Sequence, residues 1–441
     1  MLAIIIGIAL LLGLIIRAKW PAFMALLTAA LAVGLLSGVP AVDLLKSMEK
    51  GMGQTLGYVA TIVGLGSIFG GILEKTQGSQ VIARSLLQWF GIHRASSAMA
   101  IAGFIIAIPV FFDVAFIILY PVLGALQRKT GKSILHFALP LLAGLAVGHA
   151  FVPPTPGPIA VAQILGADLG WVILAGLMVG FPTAIISGVW VGRYLANRVE
   201  VVLSEPVNES LETRPMPTAG MLFAIVFLPI LLILFNTCIN ADLFFPASAS
   251  LKNTALLIGH PFSALLIANV LAWYLLGRRV GFTAAELADI SARSFQPAGI
   301  IVLVTGAGGV FKQVLVDTGA GALLAQSAGD AQIPVVVFAF MAAAIVRLLQ
   351  GSATVAMATA AGIAAPLVAQ SGISGLQLAA VVTAIASGAS ILSHVNDSGF
   401  WLVKEYLQFT ERQTFQSWSM MTTVLALTGF LLSCGLFYGA G

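Results

Sequence analysis

Few residues in this chain can do chemistry, and they are grouped. Asp113 stands alone in "IPVFFDVAF", an otherwise apolar stretch. Arg347 stands in "AAAIVRLLQGSATVA", with Gln350, Ser352 and Thr354 around Gly351. His149 opens "GHAFVPPTPGPIA", and Thr155 lies within it. "SHVNDSGFW" gathers His394, Asn396, Asp397 and Ser398, the densest polar cluster in any apolar region. A guanidinium can hold a carboxylate by two parallel hydrogen bonds. Hydroxyls and amides suit a polyhydroxylated or amino-bearing solute, although Ser and Thr in apolar helices also bond their own backbone. A carboxylate in such surroundings is costly unless paired, protonated or hydrated. Asp113 is therefore a proton carrier, a group that positions the site, or a structural partner for an arginine such as Arg347 or for hairpin backbone. Imidazole titrates near neutrality, so His149 can relay a proton or simply bond a carbonyl. The types present fit a small anion and a proton. His149, Thr155, Arg347, Gln350, Ser352, Thr354, His394, Asn396 and Ser398 are the candidate binding residues. Asp113, His149 and Asp397 are the candidate proton carriers.

Other chemistries find little support. The five histidines, His93, His136, His149, His260 and His394, form no close ligand pair, so no metal is expected. "GAGGVF" has no strand–helix context for a dinucleotide, and no G-x-x-x-x-G-K-[ST] loop occurs. No nucleophile–base–orienter set is visible, and no cofactor is expected. Cys238 and Cys434 lack ligating company and read as packing residues.

The elements that must hold these residues are set by composition. Of 441 residues, 59% are hydrophobic and 9% charged, where a soluble domain carries about 25% charged. The apolar residues come in runs of about 20, enough to cross a bilayer as helix. The fold class is all-α and polytopic, in contact with lipid; a membrane barrel would show short alternating segments. The net charge of +4 is scattered through short loops, which gives no footprint for nucleic acid. The N-terminal "MLAIIIGIALLLGLIIRAKW" reads as a first span rather than a cleaved signal.

Candidate spans are 1–16, 20–38, 54–73, 134–160, 170–192, 219–240, 256–276, 298–322, 374–398 and 416–438. Two apolar stretches, 96–126 and 333–368, are long for one span and short for two. Arg17 and Lys19, then Lys75, Arg84 and Arg94, then Arg128, Lys129 and Lys132 all belong on the cytoplasmic side by the positive-inside rule. That is consistent only if 96–126 enters and leaves by one face, as a re-entrant hairpin. Arg193, Arg198 and Arg214, then Arg278, Arg279 and Arg293, then Lys404 and Arg412 continue the pattern and make 333–368 a second hairpin. The expectation is ten crossings, two hairpins and both termini outside.

The two halves echo each other. "GLGSIFGGILEKTQGS" (64–79) aligns without a gap to "GAGGVFKQVLVDTGAG" (306–321), matching Gly64, Gly66, Phe69, Leu73 and Thr76 to Gly306, Gly308, Phe311, Leu315 and Thr318. Each copy precedes a hairpin and then a broken helix, 134–160 or 374–398. The organisation expected is a first half, 1–192, a polar linker, 193–218, and a second half, 219–441, inverted relative to the first. Inverted repeats with broken helices mark secondary transporters whose sites lie at the repeat interface. Pro153, Pro154, Pro156 and Pro158 forbid continuous helix through the first break. Such breaks survive in a membrane only where protein, water or ligand satisfies the freed backbone.

Together, "GHAFVPPTPGPIA", "IPVFFDVAF", "LLQGSATVA" and "SHVNDSGFW" resemble the gluconate permease family of bacterial inner-membrane proteins, over essentially the whole chain. The resemblance implies uptake of gluconate or a related sugar acid by proton symport, with some relatives handling D-serine or other small hydroxy acids. It also implies two inverted halves with paired hairpins, often a homodimer working by an elevator motion. A sodium-coupled carrier of a dicarboxylate, hydroxy acid or D-serine is the alternative, since carbonyls and hydroxyls at the breaks can also hold Na⁺. An anion channel and a membrane enzyme are more distant rivals.

Overall fold

The computed structural model describes residues 2–198, 216–243, 246–318, 333–395 and 397–441, and among these it contains helices and no strand. Most of the expected linker (199–215), the end of the second repeat copy and of its span (319–322), and Asn396 lie outside the described residues.

The first half runs α1 (Leu2–Ile16), α2 (Ala22–Leu36), α3 (Ala41–Lys75), α4 (Gly78–Phe90), α5 (Ala95–Ile106), α6 (Phe112–Thr130), α7 (Leu135–Phe151), α8 (Pro156–Leu165), α9 (Leu169–Ala184) and α10 (Val191–Ala196). The second runs α11 (Ala219–Asn240), α12 (Ala249–Gly259), α13 (Pro261–Leu271), α14 (Ala284–Asp317), α15 (Val335–Gln350), α16 (Ala353–Gln370), α17 (Gly375–Ala389), α18 (Ser398–Tyr406), α19 (Glu411–Thr414) and α20 (Met420–Gly439). A wide π turn, Phe415–Ser419, leads into α20.

Eight of the described helices are long and apolar enough to cross a membrane, or up to nine if the pair Gly78–Phe90 and Ile92–Ile106, bent by 112°, counts as one. The chain is a polytopic helical membrane protein. The ten crossings expected from sequence are not matched one for one. Helices α2 and α17 are only 15 residues each. Helix α16, expected as the returning arm of the second hairpin, is itself among the eight. The positively charged segment before residue 95 is not a loop, because α4 occupies most of it and ends at Gly91, which takes a left-handed φ of 72°.

The two longest helices, α3 and α14, have 35 and 34 residues and pack along each other. Their backbones touch where a Cβ on Gly51 would lie 2.7 Å from the Gly309 carbonyl oxygen. Only glycine permits that approach. The matched threonines of the two sequence copies occupy the same place on these helices. Thr76 caps the C-terminus of α3 with its hydroxyl donating to the Ile72 carbonyl at 2.9 Å, and Thr318 caps α14 with its hydroxyl donating to the Val314 carbonyl at 2.8 Å. Each hydroxyl turns back on the last turn and also reaches the next carbonyl along, that of Leu73 or Leu315, at 3.3 Å.

Around this pair the breaks are shorter than the sequence suggests. Helix α7 runs on through His149 to Phe151, so the first break spans only 152–155. Residues 390–397 form the second break, between α17 and α18. Helix α5 packs mainly along α7, and α15 packs both along α17 and against α16.

Candidate functional site

Arg347 sits in the last turn of α15 and is 5% exposed. A cation there complements the negative end of the helix dipole. Gly351 ends the helix with φ 89°, and Ser352 caps α16 by accepting from the Val355 N–H at 3.4 Å. This turn brings Ser352 and Thr354 back beside the arginine.

Across from it, Asp397 caps α18, its Oδ1 accepting from the Gly399 N–H at 3.2 Å. Its Oδ2 accepts from Arg347 Nη2 and from Ser393 Oγ. Ser393 Oγ in turn accepts from Trp418 Nε1 at 2.6 Å, and the Ser393 N–H donates to Thr422 Oγ1 at 3.1 Å. The anchor is therefore a buried ion pair with further hydrogen bonds on its acid, the arrangement a buried pair requires. Arg347 Nε and Nη1 remain buried without any partner.

In the first half, α5 ends at Ile106, residues 107–111 turn, and α6 begins with Asp113 in its first turn. The turn is seated on α3: a Cβ on Gly70 would collide with the Pro109 carbonyl. Asp113 makes no ion pair or hydrogen bond with any described residue. Beside it, His149 stands in the last turn of α7 with its ring 5.9 Å from that of Phe111. Its Nδ1 is buried without a partner. The first break holds a cis Pro153–Pro154 peptide, and Thr155 Oγ1 donates to the Val152 carbonyl at 2.6 Å. Helix α8 then starts at Pro156, where the missing N–H costs nothing.

These parts enclose one cavity of about 410 Å³. Seven sequence candidates line it: Asp113, His149, Arg347, Ser352, Thr354, Asp397 and Ser398. Thr155 lines an adjoining crevice that shares His149 and Phe111 with the cavity. Gln350 and His394 are not among the cavity walls. Gln350 Oε1 is buried and unpartnered, and His394 Nε2 meets the Leu348 carbonyl at 2.9 Å. Asn396 lies outside the described residues. Arg347 pairs with Asp397 and not with Asp113, the partner suggested by sequence. Sequence reasoning missed Ser390, Trp418 and Thr422 in the wall, and Ser393 behind it.

The N-termini of α6, α16 and α18 all open on this cavity through Phe112–Asp113, Ala353–Thr354 and Ser398–Gly399. Their free N–H groups and dipoles favour an anion, and the buried guanidinium adds a full positive charge. Among the described residues, no three His, Cys, Asp or Glu side chains gather as metal ligands.

The chain matches the description "GntP family permease" over residues 1–437. It belongs to the GntP permease family. Among its relatives, the low-affinity gluconate transporter of Escherichia coli K12 is 40% identical over 427 residues, covering 97% of this chain and 95% of that protein. A gluconate permease of Pseudomonas aeruginosa is also 40% identical, over 95% and 93% of the two chains. An L-idonate transporter of Escherichia coli K12 is 35% identical over 96% of each. The solved structure of the Alcanivorax borkumensis YdaH transporter shares the fold, with a TM-score of 0.64 at 15% identity over 91% of this chain and 90% of that one. As a GntP permease, the chain is a multi-pass transporter of the bacterial inner membrane, not an enzyme.

Proposed function

We propose that this permease imports gluconate or a closely related sugar acid by proton symport. The observation that carries the reading is Arg347. It is a buried guanidinium on the wall of a cavity faced by three helix N-termini, with two donors unused. The relatives named for gluconate and L-idonate transport support the substrate class. The cavity of about 410 Å³ falls toward the small end of the roughly 300–1,000 Å³ typical of ligand sites, which suits a small acid.

The substrate's carboxylate takes the spare donors of Arg347 together with the N–H groups at the helix starts. Its hydroxyls meet Ser352, Thr354 and Ser398. Asp397 serves as the fixed countercharge of Arg347, held in place by Arg347, Ser393 and the Gly399 N–H. Asp113, which lacks any such partner, carries the proton. With Asp113 ionised, a loaded site holds two uncompensated negative charges, and moving them through lipid is costly. Protonation removes one, so loaded movement requires the proton.

The motion is that of an elevator between two inverted halves, in which 96–126 and 333–368 act as paired hairpins. The matched threonine caps on α3 and α14 support that reading, as does the shared packing of α5 on α7 and of α15 on α17. A homodimer would supply the fixed frame.

Uptake of labelled gluconate into cells or proteoliposomes tests the proposal. Accumulation should collapse with a protonophore, persist without sodium, and be competed by related sugar acids. Accumulation that needs sodium and ignores the protonophore would establish the sodium-coupled alternative. Flux that never saturates or shows counterflow would establish a channel.

A further inference from the structure

Three hollows meet at the turn of the first hairpin, with Phe111 in the wall of each. The substrate cavity is the first. A second, of about 300 Å³, is lined by Glu74 and Lys75 at the end of α3, by Val110 and Phe111, and by Asp289 and Arg293 near the start of α14. Lys75 and Arg293 belong to separate segments that the positive-inside rule places in the cytoplasm, so this hollow is an inward-facing vestibule. Between the two lies the crevice already met at Thr155. Its free volume is only about 10 Å³.

The crevice shares His149 and Phe111 with the cavity, and Ser67, Val110 and Phe111 with the vestibule. Phe111 is thus common to all three. A space of ~10–15 Å³ holds a single water if polar partners are present. They are present here. His149 Nδ1 is buried with no partner. Thr155 Oγ1 and Ser67 Oγ spend their protons on the Val152 and Val63 carbonyls, at 2.6 and 2.7 Å, and keep lone pairs for a water. A sugar acid cannot enter such a space.

We propose that the crevice is a proton exit separate from the substrate's exit, with Phe111 as the stopper that divides them. This rests on the proton-symport reading above and adds a route to it. The proton leaves the Asp113 carboxyl, passes through the crevice water held by His149, Thr155 and Ser67, and reaches bulk water in the vestibule, leaving Asp113 as carboxylate. The vestibule's own charges are paired, Lys75 with Glu74 at 3.5 Å and Arg293 with Asp289 at 2.9 Å, so they offer the proton no trap. The substrate waits until the hairpin turn moves Phe111 aside.

The test uses purified full-length permease in proteoliposomes with an internal pH dye and labelled gluconate. Ser67→Val fills and dries the crevice. It should slow proton-coupled accumulation several-fold while gluconate exchange at equal pH stays at the wild-type rate. Phe111→Ala should raise substrate-free proton flux several-fold and let gluconate leak down its gradient. The proposal is overturned if Ser67→Val accumulates like wild type, if it loses exchange and accumulation in equal measure, or if Phe111→Ala leaks neither species. Absence of gluconate exchange in the wild type would instead defeat the proposed function. The substrate-free proton flux through Phe111→Ala would still read the passage.

Discussion

Arg347 and Asp397, 50 positions apart, form a buried ion pair that ties the end of α15 to the start of α18. The two side chains are 5% and 11% exposed. The pair joins two of the polar interruptions seen in the sequence and leaves the arginine with donors to spare.

Replacing Asp397 with Asn removes the countercharge from a buried cation. Breaking a buried pair costs about 3–5 kcal/mol. The purified Asp397→Asn protein should therefore melt well below wild type, and the double variant Arg347→Met, Asp397→Leu should recover much of that loss without recovering transport. Thermal unfolding in detergent, beside uptake, checks both.

Arg347→Lys keeps the charge but loses the planar fork. A hydrogen bond to a charged group is worth about 1.5–3 kcal/mol, or roughly 10- to 150-fold in affinity. Gluconate binding to the purified variant, measured by calorimetry, should weaken within that range.

Asp113→Asn mimics the protonated carrier. Accumulation driven by a pH gradient should disappear, while exchange of internal for external gluconate persists. Equal loss of both activities would assign Asp113 a structural role.

Gly70 lies under the turn of the first hairpin, where an added methyl meets the Pro109 carbonyl. Overpacking of this kind costs about 1–3 kcal/mol. Gly70→Ala should lower the melting temperature and displace Phe111, so that substrate-free proton leak rises with the loss of stability.

Much of this site was legible in the sequence because the membrane makes polar residues conspicuous. Asp113, His149, Arg347, Ser352, Thr354, Asp397 and Ser398 stand out against apolar neighbours, and all seven meet at one cavity. Trp418 did not stand out, since a tryptophan near the start of an apolar helix commonly marks the membrane interface. Its role comes from Ser393, 25 positions away, and from a tilted ring contact with Phe112, centroids 5.6 Å apart, neither of which leaves a local trace. The π turn at Phe415–Ser419 that carries Trp418 is also invisible to a period of 3.6 residues.

Helix lengths were harder to read than positions. Hydropathy alone located 54–73, but α3 begins at Ala41, because its first turns carry Asp43, Lys46, Glu49 and Lys50 and bury only Leu44, which packs against Gly34 of α2. The prolines of "FVPPTPGP" suggested a long break from residue 148. The helix nevertheless continues to Phe151, since a proline disturbs mainly the residue before it and the carbonyls one turn back.

A structure of the permease with gluconate bound is the most direct test of the site. The acid's carboxylate should lie within hydrogen-bond distance of the Arg347 guanidinium, with its hydroxyl chain running toward Ser352, Thr354 and Ser398. Gluconate bound elsewhere, with Arg347 still engaged only by Asp397, would contradict the account.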